Sequence, residues 1–471
     1  MTDVTLNAPS VAERPSTRKF YVAAWRWHFY AGLYVAPFLI MLAVTGLIML
    51  WSAALVGRDG EKLYHVTPGP ETIAVSRQAI AAVLAVPGGT IVQYIAPRSA
   101  DGSAVFRLDV DAQSTMVAVD PYTGQVLGQW ERHNLLYDLA NTIHGTFLLG
   151  DLGDRLIEIA AGFGVVLVVT GLFLWWPRDA KGFRAAALPQ VSARGRQWWK
   201  SLHQSVGLWC SAILLVFLVS GLSWSGIWGE KFTQAWATFP AEKWDHVPLS
   251  NKTHADHMNH DGVKEVPWTL EQTRMPISGE NAGIDGVRDG QPIDIDTIVA
   301  LARSIGFDNR FQLAFPGNDE GVWTISRDTM SNDSADPTSD RTVHVDQYTG
   351  KILADVGFAD YGPAGKAMAV GVAFHEGDIG VWNLAFNTLF CLSIIFLSVS
   401  GIIMWWKRRP AGAARLVAPS LPEKLGLWKP GAIVMLAVAC LFPLTGAVLV
   451  VVLALDLLVL RHVKPLKRAL S

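Results

Sequence analysis

The chain has 471 residues, of which 51% are hydrophobic and only 17% charged, with 19 Trp and a mean hydropathy of +0.27. Soluble domains carry about 25% charged residues, so this composition excludes an ordinary soluble enzyme and points to an integral membrane protein. The net charge of −2 decides nothing by itself, because the charge is segregated along the chain. Cys210, Cys391 and Cys440 lie far apart inside apolar runs, which excludes a disulfide framework or a cysteine metal motif.

Residues 1–27 form a polar tail with Arg14, Arg18, Lys19 and Arg26, without the short apolar core and cleavage site of a secretory signal. Residues 28–54 are a first apolar span; about 20 such residues cross a bilayer core of about 30 Å. Residues 55–143 are soluble in character, with a helix expected over 73–86 and strands over 90–96, 104–110, 115–120 and 125–130. The turn Asp120-Pro-Tyr-Thr-Gly124 precedes the last of these strands. Residues 144–176 form the second span, 177–200 a loop with six bases and one acid, and 201–228 the third span. A second soluble segment, 229–374, holds 22 acids and 12 bases. It predicts a helix over 294–304 and strands over 311–315, 322–327, 342–346 and 351–355, the last again after a turn, Asp346-Gln-Tyr-Thr-Gly350. Residues 375–406 are the fourth span, and 407–429 a loop with six bases and one acid. The apolar run 430–460 is broken at Phe442-Pro443 and reads as a hairpin of two short helices, the alternative being one kinked span; 461–471 is a basic tail. Short loops rich in Lys and Arg stay in the cytoplasm, which places 1–27, 177–200 and 407–429 inside and both soluble segments outside.

Two features repeat. The turns VDPYTGQVL and VDQYTGKIL match, and so do the spans. His28 lies four residues before Gly32 and 17 before Thr45-Gly46-Leu47; His203 lies four before Gly207 and 17 before Ser220-Gly221-Leu222. His144 lies 26 before Thr170-Gly171-Leu172, and His375 lies 25 before Ser400-Gly401-Ile402. The fold class is therefore a mostly α-helical integral membrane protein built as a tandem duplication of helix, extracytoplasmic α/β module, helix, with a C-terminal apolar hairpin. Its halves are related by an axis along the membrane normal.

A lone histidine near a membrane interface is usually a polar anchor. Four at duplicated positions point instead to axial haem ligation. On the topology above, His28 and His203 lie at the cytoplasmic face and His144 and His375 at the outer face, one from each half. That is an arrangement for two bis-histidine haems of b type, since no Cys-x-x-Cys-His attachment motif is present. Gly32 and Gly207 leave room for a porphyrin on the helix, or equally for close helix packing. The Thr-Gly and Ser-Gly pairs read as helix contacts, and the pairs Trp175-Trp176 and Trp405-Trp406 as interfacial anchors. Asp151, Asp154, Arg155 and Glu158 read as an interfacial ion-pair cluster, and Asp456 as an acid inside the last apolar run. In the second soluble segment, His254, His257, Met258 and His260 form a candidate metal site for Cu, Zn or Fe, against the plain alternative of a solvated linker. No dinucleotide or Walker loop is present.

WRWHFYAGL at 25–33, IHGTFLLGDLGD at 143–154, TGLFLWWPR at 170–178, LHQSVGLW at 202–209, FHEGDIG at 374–380, SGIIMWWKRRP at 400–410 and FPLTGAVLVVVLALD at 442–456 together resemble the PepSY-associated transmembrane family of iron-regulated membrane proteins. The two YTG turns resemble the PepSY module, so 55–143 and 229–374 would be periplasmic PepSY modules 1 and 2. Some members are haem b reductases of ferric siderophores. The resemblance implies a multi-pass protein of the bacterial inner membrane, His28, His144, His203 and His375 as ligands, and transfer of electrons to a ferric siderophore or other ferric chelate. The donor would be a cytoplasmic reductant or a quinol; membrane lipid surrounds the spans, no nucleic acid is involved, and no catalytic residue beyond the ligands is assigned. The rival readings are a component of an iron or siderophore transporter, and a PepSY-based regulatory or interaction protein.

Overall fold

The computed structural model describes residues 15–111, 113–132, 135–177, 182–233, 246–258, 266–410, 416–419 and 429–455, with 458 and 463. In chain order the elements are α1 (Pro15–Leu55), α2 (Val75–Ala85), β1 (Thr90–Ile95), β2 (Ala104–Val110), β3 (Gln113–Val119), β4 (Val126–Glu131), α3 (Leu136–Thr146), α4 (Asp151–Trp175), α5 (Gly182–Ala187) and α6 (Gly195–Leu222). There follow β5 (Leu249–Thr253), α7 (His254–Met258), β6 (Arg274–Pro276), α8 (Ile295–Ser304), β7 (Gln312–Ala314), β8 (Val322–Arg327), β9 (Arg341–Asp346), β10 (Ile352–Gly357), α9 (Pro363–Glu376), α10 (Val381–Trp406), α11 (Lys429–Leu441) and α12 (Pro443–Leu455). Four helices are long and apolar enough to cross a membrane: Phe20–Leu55, Asp151–Trp175, Gly195–Leu222 and Val381–Arg408. Two compact units share the chain, one comprising Met1–Met41, Asp151–Trp228 and Leu392–Ser471, the other Leu42–Gly150 and Gly229–Cys391.

The first unit is helical. Ala161 of α4 packs with Leu218 and Leu222 of α6, and Val165, Leu214, Trp228 and Phe442 close around them. Gly162 is required by that packing, because a Cβ there would collide with Thr445 of α12. The chain reverses between α11 and α12: Gly446 lies directly against Ala439, whereas a straight helix would hold residues seven apart at about 10 Å. The break at Phe442-Pro443 therefore makes a hairpin; Asp456 lies outside the described residues. The cluster at the start of α4 is an ion-pair cluster with a further task. Arg155 meets Asp154 at 2.5 Å and Glu158 at 3.9 Å. The two carboxylates also accept the backbone N–H groups of Gly226 and Ile227, both at 3.1 Å, and so hold the chain beyond α6. The tryptophan pairs divide their roles. Trp175 donates its indole N–H to the Ala186 carbonyl at 2.8 Å and Trp405 to that of Leu416 at 2.7 Å, each 11 residues on, tying down the loop that follows. Trp176 and Trp406 are exposed.

The second unit is built on one eight-stranded sheet, with β5 and β6 paired as a separate ribbon. The sequence reading expects two modules, but their strands join edge to edge in the order β10-β9-β8-β7-β1-β2-β3-β4, every neighbour antiparallel. The seam between the halves is β1 against β7, pairing Gln93 with Ala314, Tyr94 with Leu313 and Ile95 with Gln312. A strand edge left open at that point would invite association; here each half covers the edge of the other. Strand alternation sends Phe106, Leu108, Val117, Val119, Leu313, Ile325, Val343 and Val345 to one face, where Ala82 of α2 and Ile298 and Leu301 of α8 meet them. Asp294 caps α8 by accepting the Thr297 N–H at 3.0 Å. On the other face, Val322, Leu353 and Val356 pack under Val247, Val266, Leu270 and Met275. The repeated turns are alike in detail. Asp120 and Asp346 each accept two backbone N–H groups of their own turn, and Gly124 (φ 76°) and Gly350 (φ 66°) supply the left-handed residue it requires.

A buried ionic cluster lies behind the seam. Arg310, 1% exposed, meets Asp59 and Asp333 at 2.7 Å and Glu61 at 3.6 Å. Gln93 donates to Gln312 at 2.6 Å, and Gln312 donates to Asp333 at 3.3 Å. Burial pushes the Asp333 carboxyl up to about 7, against the pull of Arg310.

Candidate functional site

Two histidine pairs form. His28 of α1 faces His203 of α6 with ring centroids 6.4 Å apart and ring planes at 88°. His144 of α3 faces His375 of α9, again at 6.4 Å, with planes at 79°. The first pair lies in the helical unit and the second in the sheet unit. His144 and His375 do not start the spans as the sequence suggests. Each sits near the C-terminus of a separate short helix, ended by left-handed residues, Phe147 (φ 53°) after α3 and Gly377 (φ 83°) after α9. The break adds residues between histidine and hydroxyl, which accounts for intervals of 26 and 25 where the unbroken helices have 17.

The Thr-Gly and Ser-Gly pairs carry more than helix packing. Thr170 lies 3.1 Å from Nδ1 of His28, Thr45 lies 2.9 Å from Nδ1 of His144, and Ser400 lies 2.8 Å from Nδ1 of His203. Each hydroxyl donates its own proton within its helix: Thr170 to the Val166 carbonyl at 2.6 Å, Thr45 to that of Leu42 at 3.2 Å, and Ser400 to that of Leu397 at 3.0 Å. With the hydroxyl proton directed into its own helix the oxygen is placed to accept from the ring, the tautomer that puts the proton on Nδ1 and a lone pair on Nε2. A partner on one ring nitrogen that frees the other for a metal is the usual second layer of a histidine ligand. Ser220, the fourth repeat of the motif, donates likewise to Val216 at 2.9 Å. The glycine beside the hydroxyl is tight at one position: a Cβ at Gly171 would lie 3.2 Å from Cε1 of His28, whereas at Gly46 or Gly401 it would lie at ordinary contact, 3.8 or 3.7 Å, from Cε1 of His144 or His203. The sequence signal was the fixed spacing; what it lacked was that the hydroxyl meets a histidine of another helix.

The gap within each pair can be tested against a metal. An imidazole nitrogen about 2.0 Å from a metal, with the ring centre about 1.1 Å further, puts two opposed rings about 6.2 Å apart. Both pairs stand at 6.4 Å. For contrast, His254 and His344 are joined by a direct hydrogen bond, Nε2 to Nε2 at 2.9 Å, and their centroids lie 5.0 Å apart. Among the described residues no group of three or more His, Cys, Asp or Glu could hold a metal ion. Two imidazoles alone do not satisfy a bare ion, which takes four or more ligands; a pair of that kind would suit an iron whose other four positions a porphyrin fills. The glycines one turn beyond His28 and His203 bear on the packing alternative. A Cβ on Gly32 or Gly207 would meet only Leu167 at 3.6 Å or Leu397 at 3.7 Å, ordinary contact distances, so helix packing does not demand these glycines.

The candidate metal site in the second soluble segment takes a different form. His254 is fully buried rather than in a solvated loop. Its Nδ1 donates to the Thr273 carbonyl at 2.6 Å, which leaves Nε2 to accept from Nε2 of His344, whose Nδ1 lies 3.0 Å from the Thr324 hydroxyl. Burial drives the His254 imidazole down to about 4 and that of His344 well below its ordinary value. The ring therefore clamps the segment that covers β8 and β9. Nε2 of His257 lies 3.1 Å from the Ser250 hydroxyl, Met258 ends α7, and His260 lies outside the described residues.

No curated protein matches the chain. A family model described as the PepSY-associated TM region matches residues 25–408, a stretch that holds all four paired histidines and the whole sheet. The chain belongs to that family.

Proposed function

We propose that the protein is a dihaem b oxidoreductase of the bacterial inner membrane, carrying electrons from a cytoplasmic reductant or quinol to a ferric chelate, such as a ferric siderophore, at the outer face. The observation that carries this reading is the recurrence of one gap, 6.4 Å, between two histidine pairs on unrelated helix contexts. His28 and His203 would hold one haem, His144 and His375 the other, and each bound haem supplies a one-electron carrier. The chain's own part is to fix the ligands: Thr170, Ser400 and Thr45 hold the proton on Nδ1 and keep Nε2 unprotonated. The overall reaction balances simply. Each ferric ion takes one electron and becomes ferrous, so one quinol serves two ferric ions and releases two protons.

The duplication is supported by the mirrored strand order about the β1–β7 seam and by the matching Trp175 and Trp405 ties. The basic loops 177–200 and 407–429 support a cytoplasmic position for the His28–His203 end, and the acidic 229–374 supports an outer one for the sheet.

The activity is tested with haem-loaded protein in liposomes, with menadiol as donor and ferric citrate plus a ferrous trap as acceptor. Wild type is expected to form ferrous iron well above protein-free liposomes, and His144→Ala to fall back to that background. Equal rates with and without haem-loaded wild type would contradict the reading.

A further inference from the structure

The α9 helix ends at Glu376, and its last carbonyls lack intrahelical donors, as at any helix end. Backbone turns already provide part of the cap: the N–H groups of Gly377 and Asp378 both reach the Ala373 carbonyl. Two asparagines of α10 then reach back to the same end. Asn383 donates to the Phe374 carbonyl at 3.0 Å, and Asn387 donates to those of Phe374 at 2.7 Å and His375 at 3.0 Å. Both amides are fully buried. The Asn383 oxygen accepts the Ile379 N–H at 3.2 Å, but the Asn387 oxygen has no hydrogen-bond partner among the described residues. A buried acceptor without a partner is costly, and near an apolar span more so. Capping alone does not explain that cost. The sister helix α3, which carries His144, ends with the backbone bond from Phe147 N–H to the Ile143 carbonyl. Counted back along the spans from Ser400 and Thr170, the positions in the first half that match Asn383 and Asn387 are Gly153 and Ile157. Among the described residues a buried amide clamp thus lies beside His375 and not beside His144.

We propose that Asn387, assisted by Asn383, is a positioning residue for His375: by gripping the His375 carbonyl it fixes the backbone, and through it the ring plane, of one ligand of the His144–His375 haem. This inference rests on the dihaem reading. The partner ring is held from its edge, by Thr45 on Nδ1 of His144; the asparagine grip acts on the main chain of His375.

The low-spin electron paramagnetic resonance line of a bis-imidazole haem depends on the angle between its ring planes, so the two haems of full-length protein can be followed separately. The lines are assigned with His28→Ala, which leaves only that of the His144–His375 haem. In Asn387→Leu, which removes both donors at similar volume, the line and the reduction midpoint of that haem are expected to shift, while those of the His28–His203 haem stay in place. Should Asn387→Leu fail to assemble, Asn387→Ser keeps one donor and is expected to give a smaller shift of the same line. A residue that merely capped α9 would lower the melting temperature and move neither line. Unchanged lines and midpoints in Asn387→Leu, or in Asn387→Ser where that is the variant that assembles, would overturn the inference while leaving the dihaem reading intact. A wild type that takes up no haem would overturn both.

Discussion

His28→Ala and His203→Ala are each expected to abolish the same one of two low-spin haem signals, and His144→Ala and His375→Ala the other. The pairing follows from the two ring separations of 6.4 Å, because on the dihaem reading each iron would depend on both imidazoles of a pair, and one alone would leave a five-coordinate or empty site. Spectra should therefore match within a pair and differ between pairs. A graded version reads the hydroxyl. Thr170→Val keeps the shape of the side chain but removes the acceptor for Nδ1 of His28, and losses of such outer partners weaken metal sites about 10–100-fold. It should lower the occupancy of the haem that His28→Ala removes, without touching the other. If His28→Ala and His144→Ala extinguished the same signal, the pairing would be wrong.

Replacement of Arg310 should produce the largest loss of stability in the sheet unit. Its guanidinium, 1% exposed, stands between Asp59, Glu61 and Asp333, and Asp333 also anchors Gln312 at the seam. Removing one partner of a buried ionic group strands the others and costs about 3–5 kcal/mol. Arg310→Met should lower the melting temperature accordingly. The deficit has a pH signature. Burial already raises the Asp333 carboxyl to about 7, and without Arg310 it rises further, so acid neutralises the stranded charge. The loss should be greatest near pH 8 and shrink toward pH 5. A melting temperature equal to wild type at pH 8 would show that Arg310 is not what balances these carboxylates.

The sequence carries much of this, unevenly. Regular alternation placed β2 and β8 to the residue and the other strands of the main sheet within a few residues, because each buries one face against α2 and α8. The four apolar helices are legible from length alone. The single sheet is not, since the seam joins Gln93 and Gln312, two polar residues whose partnership is visible only when both are buried together. The breaks after His144 and His375 were equally hidden: Phe147 in a left-handed conformation has no sequence signature, and Gly377 alone is ambiguous. The histidines stood out through their repeat, but the role of Thr45, Thr170 and Ser400 needs two helices in contact. His254 misled for the opposite reason. A polar sequence neighbourhood suggested solvent, while the ring turns inward to His344.

The colour of the purified full-length protein tests the dihaem reading most directly. After expression with ample haem, the absorption spectrum and the pyridine haemochrome should report two b-type haems per chain, low-spin when oxidised and extractable with acid solvent, since no cysteine pair exists to attach them. A folded protein that remains colourless under those conditions would contradict it.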